Sequence, residues 1–245
     1  MDLTDHQPAA ARARIDAAVA RQPGNASLLL LSSETFAAAG RMDDAERVAR
    51  SVIERNPNHL EAYALLGRLY VSMNKLELGT QQFQTLAARQ PKSVAVNTIV
   101  GVLLQMQNRT REAQAKFEQV VQLDPRAAVA ANNLAWIYAE QGGNLDIALQ
   151  LAQTAKAKLP NQPEVNDTLG WVYQKKGLSS MAVRPLEEAV RADPNNAGYL
   201  YHLGAAYAGS GETAKARSTL DRAIASGLSA ADAVAARQLA AGLKG

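Results

Sequence analysis

Six prolines recur along this chain at an almost constant spacing, and this feature constrains the fold more than any other. They stand at positions 23, 57, 91, 125, 160 and 194, so every step is 34 residues except one of 35. Seventeen residues after the prolines come Gly40, Asn74, Asn108, Gly142, Gly177 and Gly211. Glycine and asparagine tolerate the left-handed backbone that ends a helix. The spacing predicts a repeated structural unit, and this repetition determines the class of fold.

Each unit is predicted to contain two antiparallel helices, A and B. Helix A begins about three residues after the proline, and helix B ends before the next proline, which has no N–H to continue it. Small residues stand ten places after the prolines: Ser33, Gly67, Gly101, Ala135, Gly170 and Gly204. Apolar residues stand eight places before them: Ile15, Ala49, Phe83, Phe117, Ala152 and Leu186. The two helices should therefore approach closely, and neighbouring pairs should stack, because a lone pair cannot bury its apolar face.

Two segments carry a resemblance to a known family. They are Tyr201-His-Leu-Gly-Ala-Ala-Tyr207 and Asp167-Thr-Leu-Gly-Trp-Val-Tyr173, both at the same place in the 34-residue unit. This pattern resembles the tetratricopeptide repeat (TPR), and the resemblance runs from about residue 9 to the end of the chain. It implies an all-α fold, a right-handed superhelix (α-solenoid) of antiparallel helix pairs whose concave wall is built from the A helices.

The repeat frame divides the chain into three parts. Residues 1–23 are predicted to be a leading half-repeat with helix B only, residues 24–228 six TPR units, and residues 229–245 a C-terminal capping helix with Ser229 as its N-cap. A half-repeat at a solenoid end predicts that the chain is a piece of a longer protein, or that it oligomerises through this end. The alternative is that residues 9–21 form a natural capping helix.

Composition argues against several classes of function. The chain has no cysteine, and its three histidines, His6, His59 and His202, lie far apart in the repeat frame. We therefore expect no metal site, no cofactor and no catalytic residues. A diffuse net charge of +3 argues against nucleic acid as a partner, and no apolar run is long enough to insert into a membrane. His202 is interpreted as a packing or groove residue.

The two tryptophans of the chain, Trp136 and Trp171, both stand eleven residues after a repeat proline, in adjacent units. The family places this position in the groove, so the two indoles are expected to form one apolar shelf that binds a partner protein or peptide. Polar residues predicted on the same face are Asn132, Glu140, Asp167, Lys175 and Tyr201, with Arg68 at the tryptophan position of an earlier unit. The alternative is that both indoles only fill space between the A helices.

One known binding mode of the family is disfavoured, and one other class of ligand stays open. The family's clamp for a C-terminal carboxylate needs Lys and Arg, but Thr98, Val102, Glu164 and Thr168 stand at the places that flank Asn133, so this clamp is disfavoured. Exposed indoles with polar neighbours also suit direct carbohydrate binding.

A narrower resemblance concerns the context of the two tryptophans. Asn-Asn-Leu-Ala-Trp136 and Asp-Thr-Leu-Gly-Trp171 are similar to TPR proteins of bacterial exopolysaccharide (PEP-CTERM) gene clusters. This resemblance implies a periplasmic or envelope-associated parent protein with a lipid anchor, whereas a cytoplasmic location is expected otherwise.

Overall fold

A computed structural model describes the backbone of residues 8–243 and the side chains of residues 12–243. This part of the chain contains helices joined by short turns and no strand. The helices are α1 (Pro8–Arg21), α2 (Ala26–Ala38), α3 (Met42–Arg55), α4 (Leu60–Ser72), α5 (Leu76–Arg89), α6 (Val94–Met106), α7 (Thr110–Leu123), α8 (Ala128–Glu140), α9 (Leu145–Lys158), α10 (Pro163–Lys175), α11 (Ser179–Ala192), α12 (Ala197–Gly209), α13 (Thr213–Ala225) and α14 (Ala230–Gly242). The predicted all-α class is confirmed.

The even-numbered helices α2 to α12 follow the repeat prolines and correspond to the A helices, whereas the odd-numbered helices correspond to the B helices. The predicted capping helix α14 follows Leu228 in the register of an A helix and is counted with the A helices below. Residues 1–7, 244 and 245 lie outside the described range, so the predicted half-repeat is represented by α1 alone. Ser229 accepts a hydrogen bond from the backbone N–H of Asp232, as expected of the N-cap of α14. None of the described helices combines the length and the apolar composition needed to cross a bilayer.

The helix ends predicted from the sequence are confirmed by the backbone. All six Gly and Asn positions have positive φ, including Asn74 at 57° and Asn108 at 59°. After Asn74, the N–H of Lys75 donates to the carbonyl of Tyr70 at 2.8 Å, which satisfies a carbonyl at the end of α4. The repeat period therefore marks where each A helix stops.

Close approach of the A and B helices depends on the small residue ten places after the proline. A Cβ added at Gly67 would lie within 3.0 Å of Phe83, and the same holds for Gly170 against Leu186. Gly204 repeats this relationship with Leu220. In each case the apolar side chain of helix B occupies the space that a larger residue on helix A would need.

The chain divides into two compact units, residues 1–116 and 117–245. In the first unit, α2, α3 and α4 enclose a core that includes Leu30, Phe36, Val52 and Leu66. In the second unit, α8 to α13 pack as successive helix pairs. Consecutive repeats are also joined by a side-chain hydrogen bond. The hydroxyl of Tyr207 on α12 donates to Glu187 on α11, the B helix of the repeat before it, at 2.6 Å.

Candidate partner-binding face

Three A helices of the second unit, α8, α10 and α12, carry seven of the residues predicted to bind a partner. We define the A-helix face as the side of these helices that bears the predicted residues, extended by Glu164 on α10, His202 on α12 and Asp232 on α14. Its members are Asn132, Trp136, Glu140, Glu164, Asp167, Trp171, Lys175, Tyr201, His202 and Asp232. Seven of the eight predicted site residues belong to this face. The assignment of these residues to ligand binding stays a prediction.

Arg68 is the exception, because it belongs to the first unit. It lies on α4, is exposed, and its Nη2 is 3.5 Å from Oε1 of Glu34 on α2. Glu34 and Arg68 occupy the same position in consecutive repeats, so this ion pair links two A helices.

His202 is the centre of the aromatic cluster on this face. Its ring stacks on Trp171 with centroids 4.1 Å apart, and it also contacts Trp136 at 5.6 Å. Nδ1 of His202 lies 2.7 Å from Oδ1 of Asp167, and both side chains are buried, at 8% and 5% exposure. A carboxylate only accepts, so Nδ1 carries the proton and donates to Asp167. The imidazole is thereby fixed between the two indoles.

This central role was not predicted from the sequence, which indicated only a packing or groove residue at His202. The signal that could have found it is its register. Asp167 and Tyr201 stand at the same position of consecutive repeats, and His202 follows Tyr201 directly. His202 on α12 therefore stands one residue beyond the position that Asp167 holds on the neighbouring A helix, α10.

Trp171 is largely buried and is held by its neighbours. It is 8% exposed, and its indole N–H donates to Oε1 of Glu140 at 2.7 Å. Nζ of Lys175 lies 4.8 Å from the indole centroid and 3.3 Å from the same carboxylate oxygen. The ring of Tyr201 packs against the indole at 6.0 Å. Trp171 therefore acts mainly as support for the cluster.

Trp136 is the indole that stays partly exposed. Its register equivalents Trp171 and Ala205 are both buried, which leaves Trp136 as the tryptophan whose surface a partner can reach. Asn132 precedes it by one helical turn, and the buried Oδ1 of this side chain has no hydrogen-bond partner within the described residues. Such an atom is costly to bury unpaired. The polar side chains near Trp136 are therefore less completely hydrogen-bonded than those around Trp171.

Two tyrosines report the electrostatics of the face. Burial raises the pKa of Tyr201, and the charges of Asp232 and Glu140 raise it further. Burial likewise raises the pKa of Tyr199, with contributions from Glu164 and Asp167 of the face and from Asp193 outside it. In both cases the charged groups that raise the tyrosine pKa are carboxylates.

A shallow cleft adjoins the face at its C-terminal end. It has a volume of about 310 Å³ and lies between α10, α12 and α14, where Gln174, Ala205 and Leu239 contribute to its walls. Within residues 12–243, no three histidine or carboxylate side chains are grouped closely enough to hold a metal ion. The arrangement offers an aromatic surface with hydrogen-bonding groups at its edge.

Models of the tetratricopeptide repeat match residues 2–58, 36–102, 104–171 and 168–233. Together these matches cover nearly the whole chain, and they agree with the helix pairs described above. The chain is a tetratricopeptide repeat protein.

This TPR protein is similar to a TPR repeat-containing protein of Pseudomonas aeruginosa, with 24% identity over 205 residues. That alignment covers 82% of this chain and 34% of the relative. A BBSome complex member BBS4 homolog of Drosophila melanogaster is 24% identical over 187 residues, which cover 76% of this chain and 38% of the relative. The chain therefore spans about a third of the length of these two curated relatives.

The fold is also found in solved structures. YrrB, described as a TPR protein with an unusual peptide-binding site, superposes with a TM-score of 0.61 at 16% identity and covers 76% of this chain and 96% of its own. At these identities the comparison establishes the TPR fold alone.

Proposed function

We propose that this TPR protein is a non-catalytic scaffold that binds a partner protein or peptide on the A-helix face of its second unit. The observation that carries the proposal is that Trp136 stays partly exposed beside a fixed cluster of Trp171, His202 and Asp167. Tryptophan is the side chain most enriched among residues that dominate binding energy. Membership of a family of interaction scaffolds supports the same conclusion.

The cluster favours affinity because it is ordered before the partner arrives. The ring of His202 is held by Asp167, and Trp171 is held by Glu140 and Lys175. A partner that packs on Trp136 therefore does not have to order these side chains, whose immobilisation would otherwise cost about 0.5–1.5 kcal/mol each. Asn132 and Tyr201 at the edge of the cluster are suited to set the register of the bound segment.

A peptide fits this face better than a sugar. Carbohydrate binding through both indoles would need two exposed ring faces, but Trp171 is buried and its N–H is already bonded to Glu140. The peptide-binding site described for YrrB also supports a peptide ligand. A setting in a bacterial envelope or exopolysaccharide assembly rests on the motif resemblance alone, and oligomerisation through α1 rests on the repeat frame alone.

The experiment is a selection of peptides from a random display library against the whole chain. The recovered peptides are then measured against the native chain, Trp136→Ala and a control, Met181→Ala. Met181 is a 53% exposed apolar residue on the B helix α11 of the same unit. We expect Trp136→Ala to weaken binding by about 2 kcal/mol or more and Met181→Ala to leave it unchanged. Peptides that bind both variants equally would refute the assignment of the site.

A further inference from the structure

Charge is distributed unequally between the two kinds of helix in the second unit. The A helices α8, α10, α12 and α14 carry four acidic and two basic residues: Glu140, Glu164, Asp167, Asp232, Lys175 and Arg237. The B helices α9, α11 and α13 carry four acidic and seven basic residues: Asp146, Glu187, Glu188, Asp221, Lys156, Lys158, Arg184, Arg191, Lys215, Arg217 and Arg222. The A helices are thus acidic in a chain whose net charge is +3.

The basic residues of the A helices neutralise the face only in part. Lys175 pairs with Glu140 and offsets one of the four acidic charges. Arg237 stands at the position of α14 that corresponds to Leu134 and Leu203 in earlier A helices. Both leucines are buried against neighbouring helices. Arg237 therefore points away from the A-helix face.

Two carboxylates of the face make no ion pair within the described residues, and each lies in the first turn of its helix. Glu164 is exposed near the start of α10, and Asp232 is exposed in the first turn of α14, where it accepts only from Ser229. These charges add to the acidic character of the A-helix face. The raised pKa of Tyr199 and Tyr201, caused first by burial and then by carboxylates, agrees with a negative potential here.

Lys175 shows which ligand group this surface accommodates. Its ammonium lies over the indole of Trp171 and beside the carboxylate of Glu140. A cation over an indole with a carboxylate next to it is a favourable arrangement for Lys or Arg. Trp136 and Glu140 are four residues apart on α8 and so are neighbours on one helix face. Oε1 of Glu140 is engaged by Trp171 and Lys175, which leaves Oε2 for a cation that lies over the partly exposed indole.

We propose that the A-helix face of the second unit binds a basic peptide segment, with an Arg or Lys side chain over Trp136 beside Glu140. This inference rests on the proposed function and adds the chemical class of the partner. Glu164 and Asp232 attract the remaining basic residues of the segment, and apolar residues of the segment pack on the aromatic cluster.

The test uses two fluorescein-labelled synthetic peptides of twelve residues. One is Arg-Ala-Leu-Lys repeated three times, and the other has Glu in place of every Arg and Lys. Fluorescence anisotropy with the whole chain should show that the basic peptide binds at least about tenfold more tightly, with an affinity that falls as salt is added. Equal or tighter binding of the acidic peptide, or no binding of the basic one, would overturn the proposal.

Variants separate the role of charge from the role of the site. In Glu140→Gln with Glu164→Gln, the amide of residue 140 still accepts from Trp171 while both negative charges are lost. We expect about fivefold weaker binding of the basic peptide in this double variant, and no change in Asp221→Asn, an exposed acid on the B helix α13. Unchanged affinity in the double variant would overturn the proposal.

Trp136→Ala distinguishes failure of this inference from failure of the proposed function. If display-selected peptides depend on Trp136 but are acidic or neutral, the proposed function holds and the basic partner is wrong. If the basic peptide binds Trp136→Ala as well as it binds the native chain, its binding is not at this site and both proposals fail. We expect Trp136→Ala to weaken the basic peptide at least about tenfold.

Discussion

Trp136 and His202 lie two repeats apart in the sequence, yet their ring centroids are 5.6 Å apart. His202 also stacks on Trp171 of the repeat between them, so three consecutive A helices share one aromatic cluster. Asp167 fixes the imidazole by accepting the hydrogen bond from its Nδ1. The stability of the second unit and the shape of the candidate binding face therefore depend on the same side chain.

Replacement of His202 by alanine should destabilise the second unit by about 2–4 kcal/mol, because it leaves Asp167 buried without its partner and removes contacts to both indoles. Both tryptophans belong to this unit, so urea unfolding followed by tryptophan fluorescence reports on it directly. The control is His59→Ala, in the turn before α4 of the first unit. A loss below about 0.5 kcal/mol in His202→Ala would contradict a structural role for the pair.

The sequence predicted local structure well and the cluster poorly, for a physical reason. A helix stop needs only one residue with a favourable φ, so Asn74 and Asn108 could be identified from their spacing alone. The contact between Trp136 and His202 depends on the rotation and separation of three helices, which no single residue determines. The hydrogen bond of the Trp171 indole likewise depends on Glu140 from the preceding A helix, α8.

Replacement of Gly170 by alanine should destabilise the second unit by about 1–3 kcal/mol, although alanine favours helix. The new Cβ would collide with Leu186, which is fully buried and cannot move outward. Gly198→Ala is the matched control, because its Cβ would meet its nearest neighbour only at 3.4 Å. Urea unfolding should show that the cost of Gly170→Ala largely disappears in a Leu186→Ala background. Equal costs at the two glycines would show that close helix approach is not the cause.

Asn74→Gly should stabilise the first unit by about 0.5–1 kcal/mol, and Asn74→Ala should destabilise it by a similar amount. Asn74 has a φ of 57°, which costs a residue with a Cβ more than it costs glycine. Thermal unfolding followed by circular dichroism at the helix band measures both changes. The opposite order of the two variants would mean that the asparagine side chain, rather than the backbone, stabilises this turn.

Alkaline pH should destabilise the protein through its tyrosines. Burial raises the pKa of Tyr207, and so does its bond to Glu187; burial also raises the pKa of Tyr199. A phenol with a higher pKa in the folded chain holds its proton more tightly there than in the unfolded chain. Its stabilising contribution is complete below the unfolded pKa of about 10 and is lost as the pH rises through the folded value.

This pH dependence can be measured as urea unfolding at about pH 8, 10 and 11, with the phenolate absorbance followed in parallel. We expect the free energy of unfolding to fall across this range. In Tyr207→Phe the fall should be shallower, since one of the titrating groups is missing. If the native chain were equally stable at the lowest and highest pH, the raised tyrosine pKa values would be refuted.

The two tryptophans should differ sharply in their access to solvent. In Trp171→Phe only Trp136 fluoresces, and we expect efficient quenching by acrylamide because this indole is partly exposed. In Trp136→Phe only Trp171 fluoresces, and its emission should lie at shorter wavelength and be quenched about threefold less, because this indole is 8% exposed and its N–H is bonded to Glu140. Glu140→Ala in the Trp136→Phe background should shift the emission of Trp171 to longer wavelength. Equal quenching of the two indoles would place them both at the surface or both in the core, and Trp136 would then lose its distinction as the residue that a partner can reach.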